Sequence, residues 1–388
     1  MERTEVLYGG EFSDRFRQAV ARNAVLIALV LLFAVFTYLT GGVFLSVRNL
    51  SNLSLQTAAV SIIAMGMVLV IVSGNIDLSA GSVVGAVGAA TAVMQVQMGA
   101  QPVAAISVGL VFGLCIGMWH GYWIAYRGVP SIIVTLASML ALRGAAIAIT
   151  QGKTQAPLDP GFLWIGQSYL PTLGLFPNDT TIIGTIIIGL GVLMVAVKRL
   201  GGSSAWARNK SNAAQIMAIT IMIVAIGGVM SAYRGMPVPL LIVCCVWLVL
   251  SFVATKTVFG KQVFAIGGNA RAAVLSGVDV KARIFGLFSL MGVVTAIAAF
   301  VFTARVGSAS ASAGAMMELD AIAAAIIGGT SLAGGIGSIG GAIIGALVMT
   351  TLDNGMSLLN LDASYQLAIK ALILLLAVWF DTVQKRRG

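Results

Sequence analysis

Charged residues are scarce in this sequence. Only 9% of its 388 residues are Asp, Glu, Lys or Arg, whereas soluble domains carry roughly 25%. Hydrophobic residues make up 59% of the chain, and apolar runs of about 18 or more residues recur along it. An outer-membrane barrel would instead show short alternating segments. We therefore expect an all-α fold, a polytopic inner-membrane helix bundle.

Reactive side chains are also few. A single histidine, His120, argues against a proton relay or a catalytic triad, and it is more typical of a packed residue at the end of a span. The three cysteines, Cys115, Cys244 and Cys245, lie in apolar runs without metal-ligand spacing. We expect them to be small buried hydrophobic residues, and we expect neither a metal site nor enzymatic activity.

No phosphate-binding loop of the form G-x-x-x-x-G-K-[ST] occurs in the sequence. Any energy from ATP must therefore come from a separate subunit. The stretch 335–340 satisfies G-x-G-x-x-G, but it lacks the strand, turn and helix that dinucleotide binding needs. A tight turn between two helices is the better interpretation.

The apolar runs predict about twelve spans in one transmembrane domain covering residues 1–388, although ten or fourteen would fit almost as well. The two runs after residue 318 are separated by only a few residues, so one of them could be re-entrant. The predicted spans are 23–43, 55–73, 80–98, 103–125, 131–150, 180–198, 213–232, 238–255, 284–304, 319–334, 338–357 and 365–381.

The net charge of +10 indicates membrane orientation rather than a nucleic-acid partner. With residues 1–22 in the cytoplasm, only Arg48, Lys153, Arg234 and Arg305 fall in outer loops, and most other cations face inward. Because positive charge favours the cytoplasmic side, both termini are predicted to be cytoplasmic. Residues 1–22 mix acidic and basic side chains, which is not typical of a cleaved signal peptide.

The longest predicted outer loop, residues 151–179, is rich in proline and contains Trp164 and Tyr169. Such a composition favours a short interfacial helix or a lid, and an inert connector explains it equally well. Small residues also recur four apart, as in Gly113, Gly117 and Gly121. This spacing predicts close helix packing.

Polar and charged side chains within the apolar runs are candidates for the lining of a hydrophilic path. A charge at bilayer depth costs roughly 2.5–3.5 kcal/mol, so these groups should face the protein interior or water. Helix capping explains the acidic residues at span ends as well, and for Lys370 pairing or snorkelling is the expected role. The path candidates are Asn75, Asp77, Glu318, Asp320, Asp353 and Asn354.

Residues 256–283 form a basic, glycine-punctuated island between two apolar runs. Asn269 is a good helix N-cap, and Gly277 is a good stop about two turns later. We therefore expect a short helix exposed at the cytoplasmic face, where a partner protein docks. The residues assigned to this docking helix are Gly267, Gly268, Asn269, Arg271, Ala272, Ala273, Ser276 and Gly277.

Segments along nearly the whole chain resemble the permease subunits of sugar-importing ABC transporters, the family that includes ribose, galactose and xylose permeases. The matching segments include 44–53, 73–85, 129–144, 264–278, 327–347 and 352–359. The chain is most similar to the xylose type in three places: the Trp119–Trp123 segment, the basic linker 198–210 and the ending 374–387.

The resemblance implies a permease homodimer in the lipid bilayer, a cytoplasmic ATPase that binds ATP and Mg²⁺, and a periplasmic or extracellular sugar-binding protein. It implies no cofactor in this chain, and it makes residues 267–277 the helix that couples to the ATPase. Relatives often carry an acidic residue where this chain has Arg271, which puts the charge of that contact in doubt.

The function implied by the resemblance is import of a monosaccharide, with D-xylose as the expected substrate. A permease for galactose, arabinose or several monosaccharides is the alternative. A different class, the ion-coupled secondary transporter, would show ionisable groups near the midplane and inverted repeats. It would leave residues 256–283 without a role.

Overall fold

The structure is a computed structural model that describes residues 24–175, 177–187, 190 and 227–387. The described part is almost entirely helical, which confirms that the fold is all-α. Two isolated β-bridges join Gln155 to Ala309 and Tyr169 to Pro237. The helices are α1 (Ala24–Leu39), α2 (Val47–Val72), α3 (Ala80–Val96), α4 (Pro102–Gly121), α5 (Ser131–Thr150), α6 (Pro160–Gln167), α7 (Val238–Lys256), α8 (Val258–Gly268), α9 (Ala270–Leu275), α10 (Val280–Val306), α11 (Met317–Ile327), α12 (Ile339–Leu358) and α13 (Ala363–Arg387).

Six of the described helices are long and apolar enough to cross a membrane: α2, α4 with its π-helical extension Tyr122–Tyr126, α5, α7, α10 and α12. Three shorter apolar helices cover Val25–Leu39, Ala80–Val96 and Ala363–Trp379. These helices agree with a polytopic membrane protein. The count of twelve is not confirmed, because the predicted spans 180–198 and 213–232 lie largely outside the described residues. The N-terminal segment 1–22 and the linker 198–210 also lie outside them.

The predicted span 319–334 is wrong. Helix α11 has only 11 residues and ends at Ile327, so it is about 16 Å long and cannot cross a hydrocarbon core of about 30 Å. Residues 328–338 form a loop in which Gly329, Gly334 and Gly335 have positive φ angles. The chain therefore continues as a half-helix followed by an irregular segment.

Helix α2 forms the centre of the bundle. Its residues from Thr57 to Val72 are all buried, because it is apolar on every side and is surrounded by α7, α10, α11 and α12. Helices α4, α5 and α7 are instead exposed over much of their length and carry apolar side chains outward. The three cysteines lie on such exposed surfaces. The expectation that they are buried is therefore wrong, since an apolar run in a membrane protein can face lipid as well as core.

The predicted close helix packing is confirmed. A Cβ atom at Gly113 would meet the carbonyl oxygen of Gly292 at 2.7 Å, and one at Gly117 would collide with the carbonyl oxygen of Phe288. Similarly, Gly345 of α12 lies against the backbone of Ala324 in α11. Glycine at these positions lets the helix backbones approach each other closely.

The predicted outer loop is anchored at several points. Its helix, α6, is capped by Asp159, whose side chain accepts from the Gly161 amide at 2.7 Å. Phe162 is fully buried with its ring 6.3 Å from that of Phe300 in α10, and Gly166 packs on the backbone of Ala304. Of the alternatives left open by the sequence, the short helix is therefore present, and it is packed on the end of α10.

Candidate functional site

The candidate site is built around the N-terminus of the half-helix α11. Arg143 donates to the carbonyl oxygen of Ala313 at 3.4 Å, in the segment before α11. Arg143 lies 12 residues from the start of α5 and 7 from its end, about 18 Å and 10 Å along the axis. Because Arg143 contacts the segment just before α11, the half-helix begins at a depth that lies well within the length of the apolar helix α5. Half-helix ends at this depth are typical of substrate sites in transporters.

The two acidic candidates in the first turn of α11 turn to opposite sides. Glu318 and Asp320 are 5% and 6% exposed, and the dipole of the helix favours carboxylates at this end. The carboxylate of Glu318 lies over Gly81 in the first turn of α3. No side chain in the described residues donates to this carboxylate, and the backbone amides of Gly81 and Glu318 lie close to it. Asp320 faces α13 instead.

Lys370 of α13 bridges Asp320 and Asp353. Its Nζ atom lies 3.1 Å from Oδ2 of Asp320 and 2.8 Å from Oδ2 of Asp353. The prediction that Lys370 is paired is confirmed. Because one cation serves carboxylates of α11 and α12, these three residues fasten the otherwise exposed helix α13 to the bundle.

We expect Lys370→Met to lower the free energy of unfolding by about 3 kcal/mol, because Asp320 would keep its buried charge without a cation. The value is at the lower end for a buried ion pair, since the Asp353 side chain is 30% exposed. Thermal unfolding in detergent measures the change. Lys370→Arg and the exposed Thr382→Ala on the same helix serve as controls that should unfold near the wild-type temperature. An unchanged melting temperature for Lys370→Met would show that the bridge does not hold α13.

Asn354, which follows Asp353 in α12, makes a different contact. It forms a reciprocal amide pair with Asn49 of α2, with N···O distances of 2.9 Å and 3.1 Å. Asn49 also donates to the carbonyl oxygen of Phe44 at 2.9 Å, and Thr57 and Thr350 join the same two helices at 2.6 Å. Asn354 is therefore a buried link between α2 and α12, and its place on a path stays a prediction. No sequence signal singled out Asn49.

Asn75 and Asp77 lie in the irregular segment 73–79 between α2 and α3. Asp77 is 2% exposed and accepts from the backbone N and the hydroxyl of Ser79 at 2.8 Å and 2.6 Å. Asn75 donates to the Ser73 hydroxyl at 2.9 Å and lines a cavity of about 320 Å³. The local turn accounts for the burial of Asp77, so its role in a path also stays a prediction.

The central part of the island, residues 258–275, folds as two helices, α8 and α9. The Asn269 side chain accepts from the Ala272 amide at 3.0 Å and caps α9, and Gly277 has a φ of +82° after its end. The predicted short helix and both of its ends are confirmed. Gly267 and Gly268, however, are the last residues of α8 and not part of the same helix as Arg271.

The outer face of α9 is more apolar than we expected. Arg271 is exposed, while Val274 and Leu275 are 57% and 83% exposed and Ala273 is buried against the bundle. Val274 and Leu275 therefore form a small exposed apolar pair at the end of the capped helix. The sequence did not single out Val274 and Leu275. Apolar residues occur throughout this chain, in the core and on lipid-facing surfaces, so hydrophobicity does not show which of them are exposed on a docking helix.

Gly267 lies at a junction between α8, the end of α2 and the loop after α11. The amide of Gly335 donates to the carbonyl oxygen of Val72 at 2.8 Å. A Cβ at Gly267 would collide with that carbonyl oxygen and lie 2.7 Å from the Gly335 nitrogen. Three backbone segments thus touch directly at the end of the bundle that carries α9.

The chain matches a family model described as the permease component of branched-chain amino acid transport systems, over residues 49–378. It is 44% identical to the xylose transport system permease protein XylH of Escherichia coli K12 over 380 residues, covering 96% of this chain and 93% of that protein. It is 41% identical to XylH of Haemophilus influenzae, covering 94% and 96% of the two chains.

The ribose import permease protein RbsC of Escherichia coli K12 is more distant. It is 33% identical over 357 residues, covering 92% of each chain. No solved structure matches the chain. The similarity is therefore carried by sequence over nearly the full length, and it is stronger to the proteins named for xylose than to those named for ribose.

Proposed function

The chain belongs to the family of branched-chain amino acid transport system permease components, and from this premise we propose that it is the membrane-spanning permease subunit of an ATP-driven importer for D-xylose. The observation that supports the substrate is the 44% identity to a xylose permease over 96% of the chain, compared with 33% for a ribose permease. A permease that accepts galactose, arabinose or several monosaccharides remains the alternative.

The geometry fits a protein that moves a small polar solute. Half-helix α11 begins at bilayer depth with acidic side chains in its first turn. In the proposed mechanism two copies of the chain form the path, a binding protein delivers the sugar at the outer loops, and a separate ATPase supplies the energy.

Uptake in proteoliposomes tests this function. The chain is reconstituted with its ATPase and sugar-binding protein, and ¹⁴C-labelled D-xylose, D-ribose, D-galactose and L-arabinose are compared. We expect uptake of D-xylose that requires ATP inside the vesicle and the binding protein outside. Uptake driven by a proton or sodium gradient without the ATPase would contradict the proposal, and preference for another sugar would revise the substrate.

The proposed orientation places α8, α9 and both termini in the cytoplasm. It is supported by the concentration of cations in residues 256–283. The opposite end then carries α6 and faces the periplasm or the cell exterior. In this orientation α9 is the helix that contacts the ATPase.

A cysteine at position 271 tests the orientation. In a background without the three native cysteines, Arg271→Cys should react with an impermeant maleimide in inside-out vesicles and not in intact spheroplasts, because Arg271 is exposed at the island end. Lys153→Cys, in the exposed loop at the other end, should show the opposite pattern. Labelling of position 271 from outside would reverse the topology.

A further inference from the structure

We propose that a groove beside the N-terminus of α11 is an intermediate binding site, within the membrane, for the sugar as it is transported. Arg143 and Glu318 are the polar contacts of this site. This inference rests on the proposed function and assigns it a specific site. The groove has a volume of about 340 Å³, within the range of roughly 300–1,000 Å³ that is typical of small-molecule sites. Its apolar walls come mainly from Leu78, Leu136, Met139 and Leu140.

The depth of the groove argues against a surface that faces lipid. Leu140 is 9 residues from the start of α5 and 10 from its end, and Arg143 lies one turn further along. A charge at this depth costs roughly 2.5–3.5 kcal/mol when it faces hydrocarbon. The half-buried Arg143 and the buried Glu318 both contribute to the lining of the groove, and we expect water or a polar solute to reach it.

The polar groups of the groove have spare hydrogen-bonding capacity. No side chain in the described part of the chain donates to the Glu318 carboxylate, although the backbone amides of Gly81 and Glu318 lie close to it. Arg143 makes one long contact, the 3.4 Å hydrogen bond to Ala313. The two side chains attract each other electrostatically, but no salt bridge joins them in the described part of the chain. A polar solute in the groove would give both side chains further hydrogen bonds.

A monosaccharide supplies the hydroxyl groups that this pair lacks. One hydroxyl can donate to the carboxylate of Glu318 while another accepts from the guanidinium of Arg143, and the C–H faces of the ring can pack on the leucine and methionine walls. A neutral polyol bridges opposite charges without leaving a net charge in the membrane. An inorganic ion would satisfy only one of the two side chains.

Cysteine accessibility tests whether the groove is wet and whether it holds sugar. Cys115, Cys244 and Cys245 are first replaced by alanine, and Leu140→Cys is compared with Val111→Cys in the complete transporter. Val111 is the matched control, since it also lies 9 residues from the start and 10 from the end of its helix, α4. The two side chains are similarly exposed on this chain, at 66% and 59%.

We expect the cationic thiol reagent 2-(trimethylammonium)ethyl methanethiosulfonate to modify Leu140→Cys at least about tenfold faster than Val111→Cys, because the reagent needs water. D-xylose should roughly halve the rate at a concentration equal to its dissociation constant, whereas sucrose should not. Equal rates at the two positions would mean that lipid or another protein surface covers the groove. Fast modification without protection by D-xylose would show a wet groove that does not bind sugar. Either result overturns the proposal.

Substitutions of the polar pair provide a second test. Arg143→Gln and Glu318→Gln should each reduce D-xylose uptake at least about tenfold, which corresponds to loss of one hydrogen bond to a charged group. Stimulation of the ATPase by the loaded binding protein should remain, and Arg143→Lys should recover part of the uptake. Uptake at the wild-type level in both glutamine variants would exclude the groove. Lack of D-xylose uptake by the wild-type transporter would instead contradict the proposed function.

Discussion

Leu275→Asp is expected to abolish ATP-driven uptake by preventing the ATPase from binding. Leu275 is the most exposed apolar side chain of α9, at 83%, and Val274 beside it is 57% exposed. Docking of α9 on the ATPase would bury both. A carboxylate in place of leucine loses the apolar contact and places an unpaired charge in the interface. Full burial of a leucine side chain is worth about 1.5–3 kcal/mol, or roughly 10- to 100-fold in affinity.

The measurement is co-purification of the ATPase with the permease, together with D-xylose uptake in proteoliposomes. Leu275→Met is the matched control, because it keeps the apolar volume and should retain both assembly and uptake. The melting temperature of the isolated permease should change little in either variant, since the side chain is exposed. If the aspartate variant still co-purified with the ATPase and took up sugar normally, the docking role of α9 would be wrong.

Gly267→Ala is expected to separate ATPase binding from transport. The added methyl group would collide with the carbonyl oxygen of Val72 and crowd the amide of Gly335. These backbone atoms hydrogen-bond to each other at 2.8 Å, so neither can give way freely. The end of α8 must then move away from α2 and from the loop after α11. Overpacking in a close contact typically costs about 1–3 kcal/mol.

We expect a movement of α9 to reach the half-helix through this junction, because residues 328–338 connect α11 to α12. We therefore expect Gly267→Ala to reduce D-xylose uptake at least about tenfold while the ATPase still co-purifies, since the exposed face of α9 is unchanged. Gly268→Ala is the matched control, because its Cβ would have nothing within 4 Å. Equal uptake by the two variants would show that the junction does not carry the coupling motion.

The ends of α9 were predictable because helix capping is local. Asn269 accepts from an amide three residues ahead, and Gly277 adopts a positive φ that other residues rarely reach. The same reasoning did not separate Gly267 and Gly268 from the docking helix. In the sequence, two consecutive helices joined at one residue cannot be distinguished from a single loop that is interrupted by glycines.

The path candidates were chosen by polarity, and polarity does not reveal their partners. Asp353 and Asn354 are adjacent in α12, but Asp353 pairs with Lys370 of α13 and Asn354 with Asn49 of α2. Successive helical residues point about 100° apart, so neighbours in sequence face different helices. Only the three-dimensional packing could show that these two residues fasten separate parts of the bundle.

The sequence by itself determined the helical membrane fold, the close glycine contacts and the capped helix α9, because these depend on composition and short-range spacing. It also determined the family, through similarity to known permeases over nearly the whole chain. The tertiary structure decided that α11 stops at Ile327, which side chains pair across helices, and where Gly267 touches the core. Residues 319–327 are apolar apart from Asp320, and the glycine-rich stretch 328–338 carries no charge that would mark the end of a span. Whether such a segment is helical depends on the backbone partners that the surrounding helices offer, and those partners are distant in the sequence.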